Sequence, residues 1–324
     1  MRPEVDPKIL EVIADRSTAL VHLLRDRADE YGLSVRTLPC GAMLIDTGVE
    51  ASGSFTAGLR LIELCHGGLA SAALGLVDLS GFVLPQVTVE SLHPVFSTYR
   101  LQASYPVSAD TPEIRVCGPI RLWLDQTVTG DSPLPGVVVI ESDRLPDDTM
   151  ALIIAERSGL PPQSLTLIVA PATSLVGATQ IAGRVNECVI FTMAESIHFD
   201  LNKIRHIVGQ APICPVGRSA QEQPYPDDFI HYAGKAMLTL TAAPEDDLES
   251  LVHQLTFAST PIYGTFFYEL LAQAGGVFEN IPELIDINKP AQVTINDLTT
   301  GRTVHAGSPD IARLVAILDG GKTK

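Results

Sequence analysis

The segment LTLIVAPATSLVGATQIAGRVNE, residues 165–187, carries the clearest structural signal in this chain. Its opening run LTLIVA is apolar except for one threonine, which predicts a buried strand over Leu165–Ala170. The strand leads through the loop PATSLVGATQ, made mostly of small residues, into a predicted helix that ends near Glu195. A buried strand followed by a helix is typical of α/β proteins.

Strands and helices alternate on both sides of this segment. We predict helices over residues 8–31, 55–65 and 147–158, a hairpin over 34–45, strands over 70–77, 82–89, 137–141, 291–295 and 302–305, and a last helix after Pro309. Residues 212–228, rich in proline and polar side chains, predict a surface loop. The predicted fold class is mixed α/β (α+β), with one α/β lobe at roughly residues 1–130 and a second at roughly 131–324, whose segments can interleave.

Two stretches of the chain resemble each other. Residues 53–65 (GSFTAGLRLIELC) and 177–188 (GATQIAGRVNEC) each combine small residues, an Ala-Gly pair and the spacing Arg-x-x-Glu. An old duplication with pseudo-twofold symmetry is one interpretation, and chance similarity of two loop-helix units is the other.

Composition and charge exclude several classes of function. With 46% hydrophobic and 19% charged residues, the 324-residue chain is typical of a globular protein. Its formal net charge of −16 argues against nucleic acid and anionic membranes as partners. The N-terminus has acids among its apolar residues, unlike a signal peptide, and no apolar run reaches the roughly 20 residues of a membrane span. The five cysteines lack C-x-x-C spacing, so we expect reduced thiols in a cytoplasmic protein.

Several motifs of metal, nucleotide and acyl-transfer enzymes are absent from the sequence. It has no G-x-x-x-x-G-K-[ST], no G-x-G-x-x-G, no H-E-x-x-H and no G-x-S-x-G. The eight histidines are scattered, without a pair at metal-ligand spacing beside a carboxylate cluster. We therefore expect no metal site.

Three loops place small residues and prolines where a strand meets a helix, at residues 46–58, 117–121 and 171–183. Gly, Ser and Thr at such junctions let backbone N–H groups approach a ligand, and a helix N-terminus favours an anion. Tight turns that need glycine for packing would give the same pattern. The loops therefore predict candidate ligand contacts without identifying the ligand.

Arg184 and Glu187 form the most chemically suggestive pair. At a spacing of three residues they share one face of the predicted helix. A guanidinium beside a carboxylate keeps it ionised and oriented, which suits a general base that acts on water. From the spacing alone, an ordinary ion pair on a helix surface is the alternative.

The order of motifs along the chain resembles one enzyme family. IDTGVEASGSFTAGLRLIELCHGGLA (45–70) and LIVAPATSLVGATQIAGRVNE (167–187) are similar to signatures of the methenyltetrahydromethanopterin cyclohydrolases. Further matches follow in the family's order across nearly the whole chain: ESDRLPDD (141–148), APICP (211–215), Tyr263-Gly264 and INDLTTGRTVHAG (295–307).

The resemblance implies two interlocked α/β domains with a ligand pocket between them, in a homo-oligomer (dimer or trimer). The implied reaction hydrolyses the methenyl bridge of a pterin to the 5-formyl form in one-carbon metabolism. It uses neither metal nor cofactor, since tetrahydromethanopterin is the substrate carrier. The family's catalytic Arg and Glu of G-R-x-x-E correspond to Arg184, which would orient the carboxylate, and Glu187, which would deprotonate water. Candidate substrate-binding residues come from the three loops: Glu50, Ser54, Gly118, Arg121, Pro171, Thr173, Ser174, Gly177, Thr179 and Gln180.

The chain departs from the family pattern at three places. Val116-Cys117 replaces Gly-Ser before Gly118, residues 224–228 (PYPDD) replace Gly-Arg-Thr-Asn-Asp, and residues 278–281 (FENI) replace Phe-Tyr-Lys-Ile. These positions are candidates for holding the pterin or its tail. Two alternatives therefore stay open: a paralogue that binds a reduced pterin without catalysis, and a hydrolase of another cyclic amidine.

Overall fold

The computed structural model describes residues 5–108, 111–217, 225–276, 278–281 and 284–318. Twelve strands in these residues form two six-stranded sheets. In chain order the strands are β1 (Ser34–Thr37), β2 (Met43–Asp46), β3 (Ala70–Leu79), β4 (Phe82–Ser91), β5 (Tyr105–Ser108), β6 (Thr111–Cys117), β7 (Gly136–Glu141), β8 (Leu165–Ala170), β9 (Ile204–Pro212), β10 (Lys235–Leu240), β11 (Gln292–Asp297) and β12 (Thr303–Gly307).

Helices separate most of these strands. In chain order, the α-helices of the described residues are α1 (Pro7–Asp26), α2 (Ala28–Tyr31), α3 (Phe55–Cys65), α4 (Arg121–Leu124), α5 (Asp148–Ser158), α6 (Leu175–Ala182), α7 (Val185–Glu195), α8 (Pro226–Ala233), α9 (Leu248–Gln254), α10 (Phe267–Gln273), α11 (Leu284–Ile287) and α12 (Ile311–Leu318). Side-chain caps begin several of them. Ser54, Asp147 and Asp247 each accept the backbone N–H three residues on, at 3.2, 2.9 and 3.0 Å, which satisfies a donor that the helix itself leaves unpaired.

The chain forms two compact units. Unit 1 comprises Met1–Ser71 and Arg100–Gly177, and unit 2 comprises Ala72–Tyr99 and Ala178–Lys324. Each unit is built around one of the two sheets, so the fold class is the mixed α/β architecture that the sequence predicts. The boundary that the sequence suggested near residue 130 falls inside unit 1.

The sheet of unit 1 has the strand order β1-β2-β8-β7-β6-β5. Its three central strands β2, β8 and β7 run parallel, and β1 and β6 pair antiparallel to their neighbours. Parallel strands covered on both faces need apolar side chains throughout, which explains the run LTLIVA. Side chains of α1 and α3, among them Leu24 and Leu61, form one hydrophobic cluster with Ile45 and Ile168 of the sheet.

The sheet of unit 2 has the order β12-β11-β10-β9-β4-β3. In this sheet β10 and β11 pair in parallel, whereas β9 pairs antiparallel to β4 and β10, and β12 pairs antiparallel to β11. Helices α7 and α8 contact β9, and α9 contacts β11 and β12. Alternate residues such as Val87, Val89 and Leu238 are fully buried, as expected for a sheet with one face towards a core.

Most predicted elements are confirmed, including β8 and α3 at their predicted bounds. The first predicted helix is interrupted: α1 ends at Asp26, α2 begins at Ala28, and Arg27 between them has φ −111° and ψ 23°. The predicted loop 171–180 is wrong in its second half. Helix α6 begins at Leu175 because the Ser174 hydroxyl accepts the Gly177 N–H (3.0 Å) and so caps the helix.

The predicted surface loop over 212–228 is also wrong at both ends, while residues 218–224 lie outside the described residues. Pro212 is the last residue of β9, and α8 begins at Pro226. Asp228, in the first turn of α8, is fully buried. Its carboxylate accepts the N–H groups of Tyr225 (3.0 Å) and Phe267 (2.8 Å). Polar composition suggested exposure here, but this carboxylate is buried because it binds two backbone donors.

Candidate functional site

The predicted ion pair between Arg184 and Glu187 is present in unit 2. Nη2 of Arg184 lies 2.7 Å from Oε2 of Glu187, and the side chains are 18% and 8% exposed. An ordinary pair on a helix surface would be largely solvated. This pair is mostly shielded from water, so its Coulomb attraction is screened less than that of an exposed pair.

A break in the helix places the pair at a helix start rather than within one. The N–H of Gly183 still bonds to Thr179 and Gln180, and the N–H of Arg184 to Ile181, which ends α6. Arg184 then occupies the cap position of α7, with φ −86° and ψ −2°. Glu187 therefore lies in the first turn of α7, where unpaired N–H groups and the helix dipole stabilise a negative charge.

Cys188 adjoins the pair but is no candidate nucleophile. It is 5% exposed, and burial raises the pKa of its thiol well above the ordinary value, with the Glu187 charge adding to the effect. Only a thiolate is strongly nucleophilic. The candidate reactive group in the first turn of α7 is therefore the Glu187 carboxylate.

In unit 1, the carboxyl end of β2 organises a loop around Asp46. The buried carboxylate accepts four backbone N–H groups, from Gly48 (2.9 Å), Val49 (2.8 Å), Glu50 (2.9 Å) and Ala51 (3.0 Å). Burial alone would raise the pKa of Asp46, but the four donors outweigh it and hold the pKa below its usual range. The small residues of this loop predicted a ligand contact, but no sequence pattern indicated that Asp46 shapes the loop.

The loop after β8 lies against the loop after β2. The hydroxyl and the N–H of Thr47 both bond to the Val169 carbonyl, at 2.7 and 3.1 Å. A Cβ at Gly48 would lie 2.5 Å from Cβ and Oγ of Ser174, so only glycine permits this approach. Since β2 and β8 are adjacent parallel strands, the two loops meet outside their carboxyl ends, where open α/β sheets bind ligands.

The structure brings together six of the predicted substrate-binding residues in unit 1. Four of them are at least partly accessible: Glu50, Ser54, Thr173 and Ser174. The other two, Pro171 and Gly177, are buried. Ser174 also donates its hydroxyl to the Pro171 carbonyl at 2.8 Å. Five of these positions therefore belong to the two loops, and Gly177 lies in the first turn of α6, directly after the second loop.

Gly118 and Arg121 lie elsewhere in unit 1. Cys117 pairs with Val139, and the Ile120 N–H bonds to the Val137 carbonyl at 3.0 Å. The Gly118–Arg121 turn thus lies towards the amino end of β7, whereas the two loops follow the carboxyl ends of β2 and β8. The Arg121 guanidinium carbon is 3.9 Å from the centroid of the Tyr105 ring, and burial lowers the pKa of Arg121.

The remaining predicted residues and the family departures are mostly buried. Thr179 and Gln180 lie in α6 and are 0% and 6% exposed. Cys117 is buried, with its Sγ 3.6 Å from Sγ of Cys65. Pro224 lies outside the described residues. Phe278–Asn280 form a short 3-10 helix, and Ile281 after it is buried.

Two features are absent from the part of the chain that the structure describes. No group of three or more His, Cys, Asp or Glu side chains there is arranged so that it could hold a metal ion. None of the helices described is both long enough and apolar enough to cross a membrane.

Comparison with known proteins identifies close sequence relatives. A family model described as Cyclohydrolase (MCH) matches residues 12–316. The chain is 33% identical over 307 residues to a methenyltetrahydromethanopterin cyclohydrolase of Methanococcus maripaludis strain C7, covering 91% of this chain and 94% of that protein. Enzymes of the same name from Methanothermobacter marburgensis and Methanocaldococcus jannaschii are 34% and 31% identical, over 89% and 90% of this chain and 93% of each relative.

Proposed function

Because the chain belongs to the Cyclohydrolase (MCH) family, we propose that it hydrolyses the methenyl bridge of methenyltetrahydromethanopterin to give the 5-formyl carrier. The structural observation that carries this proposal is the ion pair in the first turn of α7. Arg184 and Glu187 are 2.7 Å apart, and the Glu187 side chain is 8% exposed. A shielded, oriented carboxylate is the group that hydrolysis of a cationic substrate requires.

The reaction requires little more than a positioned water molecule and a general base. The bridging carbon of an amidinium cation is already electrophilic, so the enzyme has to position one water and remove its proton. In the proposed step Glu187 accepts that proton while the water oxygen bonds to the bridging carbon. One carbon–nitrogen bond of the bridge then breaks as the leaving nitrogen gains a proton and the new hydroxyl group loses one, so that the carbon remains on the other nitrogen as a formyl group. The cation and water give a neutral product and one proton.

Arg184 has a positioning and electrostatic role in this scheme. Its Nη2 contacts Oε2 of Glu187, which fixes the plane of the carboxylate. The carboxylate also opposes the positive charge of the bound substrate, and that stabilisation needs no reorganisation of solvent during the reaction.

For the carrier, we propose contacts from the loop residues that the sequence singled out. The two loops at the carboxyl ends of β2 and β8 meet in one place within unit 1, where the side chains of Glu50, Ser54, Thr173 and Ser174 are at least partly accessible. The contact residues proposed at these loops are Glu50, Ser54, Pro171, Thr173, Ser174 and Gly177. Gly118 and Arg121, towards the amino end of β7, and the buried α6 residues Thr179 and Gln180 remain candidates from the sequence alone. No metal or further cofactor enters the proposed reaction.

The function is tested by following methenyl absorbance with the purified protein. We expect its decay to be faster than the spontaneous rate in the same buffer and to scale with protein concentration. A decay that only matches the buffer rate would show the proposal to be wrong. Tight binding of the reduced pterin without turnover would then identify a carrier-handling paralogue, and hydrolysis of a different cyclic amidine a related hydrolase.

We also propose that the protein acts in the cytoplasm as a homo-oligomer, a dimer or a trimer. The hairpin of β3 and β4 in unit 2 supports the proposed assembly. Strand β3 is an edge strand whose Leu74 and Leu76 are 45% and 73% exposed, and Val83 of β4 is 61% exposed. An apolar edge strand favours pairing with another chain, and the occupant that we propose is a second copy.

Light scattering after size-exclusion chromatography tests this assembly. We expect a mass of two or three chains for the natural protein and a shift towards a single chain for Leu76→Lys, because a charge on the hairpin opposes burial. Gln273→Lys, at the exposed end of α10 in unit 2, serves as the control for added charge. A single-chain mass for the natural protein would contradict the proposal.

A further inference from the structure

Asn186 lies between the two proposed catalytic residues and faces the sheet of unit 2. Its side chain is fully buried. The Nδ2 amide donates to the Val89 carbonyl at 3.0 Å and to the Ser91 hydroxyl at 2.9 Å, both on β4. Asn186 thus joins the first turn of α7 to the backbone of one strand.

The neighbouring strand is shaped to receive this side chain. Val89 pairs with Gly209 of β9 in the antiparallel ladder. A Cβ at Gly209 would lie 2.3 Å from Oδ1 of Asn186 and 2.6 Å from Cγ1 of Val185. Oδ1 has no hydrogen-bond partner within the described residues, so the glycine provides space rather than a bond. The first turn of α7 therefore fits against β9 only because position 209 lacks a side chain.

Because of helix geometry, the contact of the first turn of α7 with β4 and β9 also determines where the ion pair lies. Successive residues of an α-helix are about 100° apart, so a turn that directs Val185 and Asn186 at the sheet directs Arg184 and Glu187 away from it. The rotation and height of that turn on β4 and β9 consequently set where the carboxylate lies. A displacement of about 1 Å at a reacting group can cost about a hundredfold in rate.

We propose that Asn186 is a positioning residue for the hydrolysis, which it controls by anchoring the first turn of α7 to Val89, Ser91 and the space above Gly209. The inference rests on the proposed function and deepens it. Asn186 does not touch the reacting atoms in this scheme. Its amide places Glu187, and it should therefore affect kcat much more than KM.

Two variants test the anchor from opposite sides. Asn186→Asp keeps the shape of the side chain but removes both N–H donors, and Gly209→Ala keeps the donors but fills the space that Oδ1 of Asn186 occupies. For each folded variant we expect kcat for methenyl hydrolysis to fall about 10- to 100-fold, with KM within about threefold of the natural protein. Ser91→Ala, which removes one acceptor and leaves the backbone contact, should fold readily and lower kcat by a smaller factor.

Thr192→Val is the matched control on the same helix. Thr192 is also fully buried in α7 and donates to the Asn288 carbonyl at 2.9 Å, but it lies beyond the first turn. We expect it to lower the melting temperature while kcat of the folded protein stays within about twofold.

The outcomes separate this inference from the proposed function. An inactive natural protein would contradict the proposed function and the inference together. If the natural protein is active but every folded variant of Asn186, Gly209 and Ser91 keeps its kcat within about twofold, the inference alone is wrong. A fall in kcat for Thr192→Val equal to that of Ser91→Ala would likewise overturn it, because the effect would then be one of general stability.

Discussion

Replacing Glu187 by glutamine is expected to lower kcat for methenyl hydrolysis by about 10²- to 10⁴-fold, the usual contribution of a general base. The amide keeps the shape of the side chain but cannot accept a proton from water. It also removes the negative charge that faces Arg184 at 2.7 Å and that would oppose the charge of the substrate. The measurement is the decay of methenyl absorbance at saturating substrate, corrected for the spontaneous rate in buffer.

The chain offers a matched control in unit 1. Arg60 and Glu63 form a second pair at the same spacing, in α3, with Nη1 and Oε2 2.5 Å apart and side chains 33% and 12% exposed. Glu63→Gln removes a comparable ion pair, so we expect a similar change in stability but kcat within about twofold. Equal losses in the two variants would contradict a catalytic role for Glu187, as would a loss of less than about threefold in Glu187→Gln.

The fold class could be predicted because local patterns determine it. The run over Leu165–Ala170 is fully buried in the centre of a parallel sheet, and such strands are apolar along their whole length. What the sequence could not predict is the order of the strands. Strand β2 lies beside β8, over a hundred residues later, and β4 beside β9. These pairings depend on long-range contacts that leave no periodic signal.

The ion pair of the candidate site was also predicted, but its setting was not. Spacing alone placed Arg184 and Glu187 on one helix face, whereas the structure puts them at the start of α7 after a break near Gly183. The structural roles of Asp46 and Asn186 were not predicted, and the reason is the same for both residues. Asp46 binds four backbone N–H groups and Asn186 a backbone carbonyl. Nearly every residue has a backbone N–H and C=O, so a side chain that binds the backbone leaves no pattern of partner residue types in the sequence.

The error at residues 226–228 has a different physical origin. Proline and acidic residues are typical of loops, but they are equally typical of a helix N-terminus, where proline fits and a carboxylate accepts unpaired N–H groups. Pro226 is the first residue of α8 and Asp228 accepts the Tyr225 N–H. A prediction of helix here would have needed the apolar spacing of Phe229 and Ile230 to outweigh composition.

Asp46→Asn is expected to have the largest effect on stability, a loss of about 2–3 kcal/mol in the free energy of unfolding at neutral pH. The carboxylate accepts four N–H groups at 2.8 to 3.0 Å and is buried. Hydrogen bonds to a charged group contribute more than neutral ones, and the asparagine NH₂ would face two of these donors. Because the loop carries Glu50, we also expect KM for the carrier to rise, and urea unfolding with steady-state kinetics measures both effects.

The pH dependence of this loss follows from the direction of the pKa shift. The four N–H donors hold the pKa of Asp46 below its usual value in the folded state, against the opposing effect of burial. Its stabilisation is therefore fully present above the unfolded pKa of about 4 and is lost as the pH falls towards the lower, folded value. Asparagine does not titrate, so the difference in stability between the natural protein and Asp46→Asn should shrink below about pH 4.

Asp297→Asn is the control, since Asp297 likewise accepts N–H groups of Ala242, Thr299 and Thr300 in unit 2. It should be destabilised with an unchanged KM, and a rise in KM equal to that of Asp46→Asn would argue against carrier binding at the β2 loop.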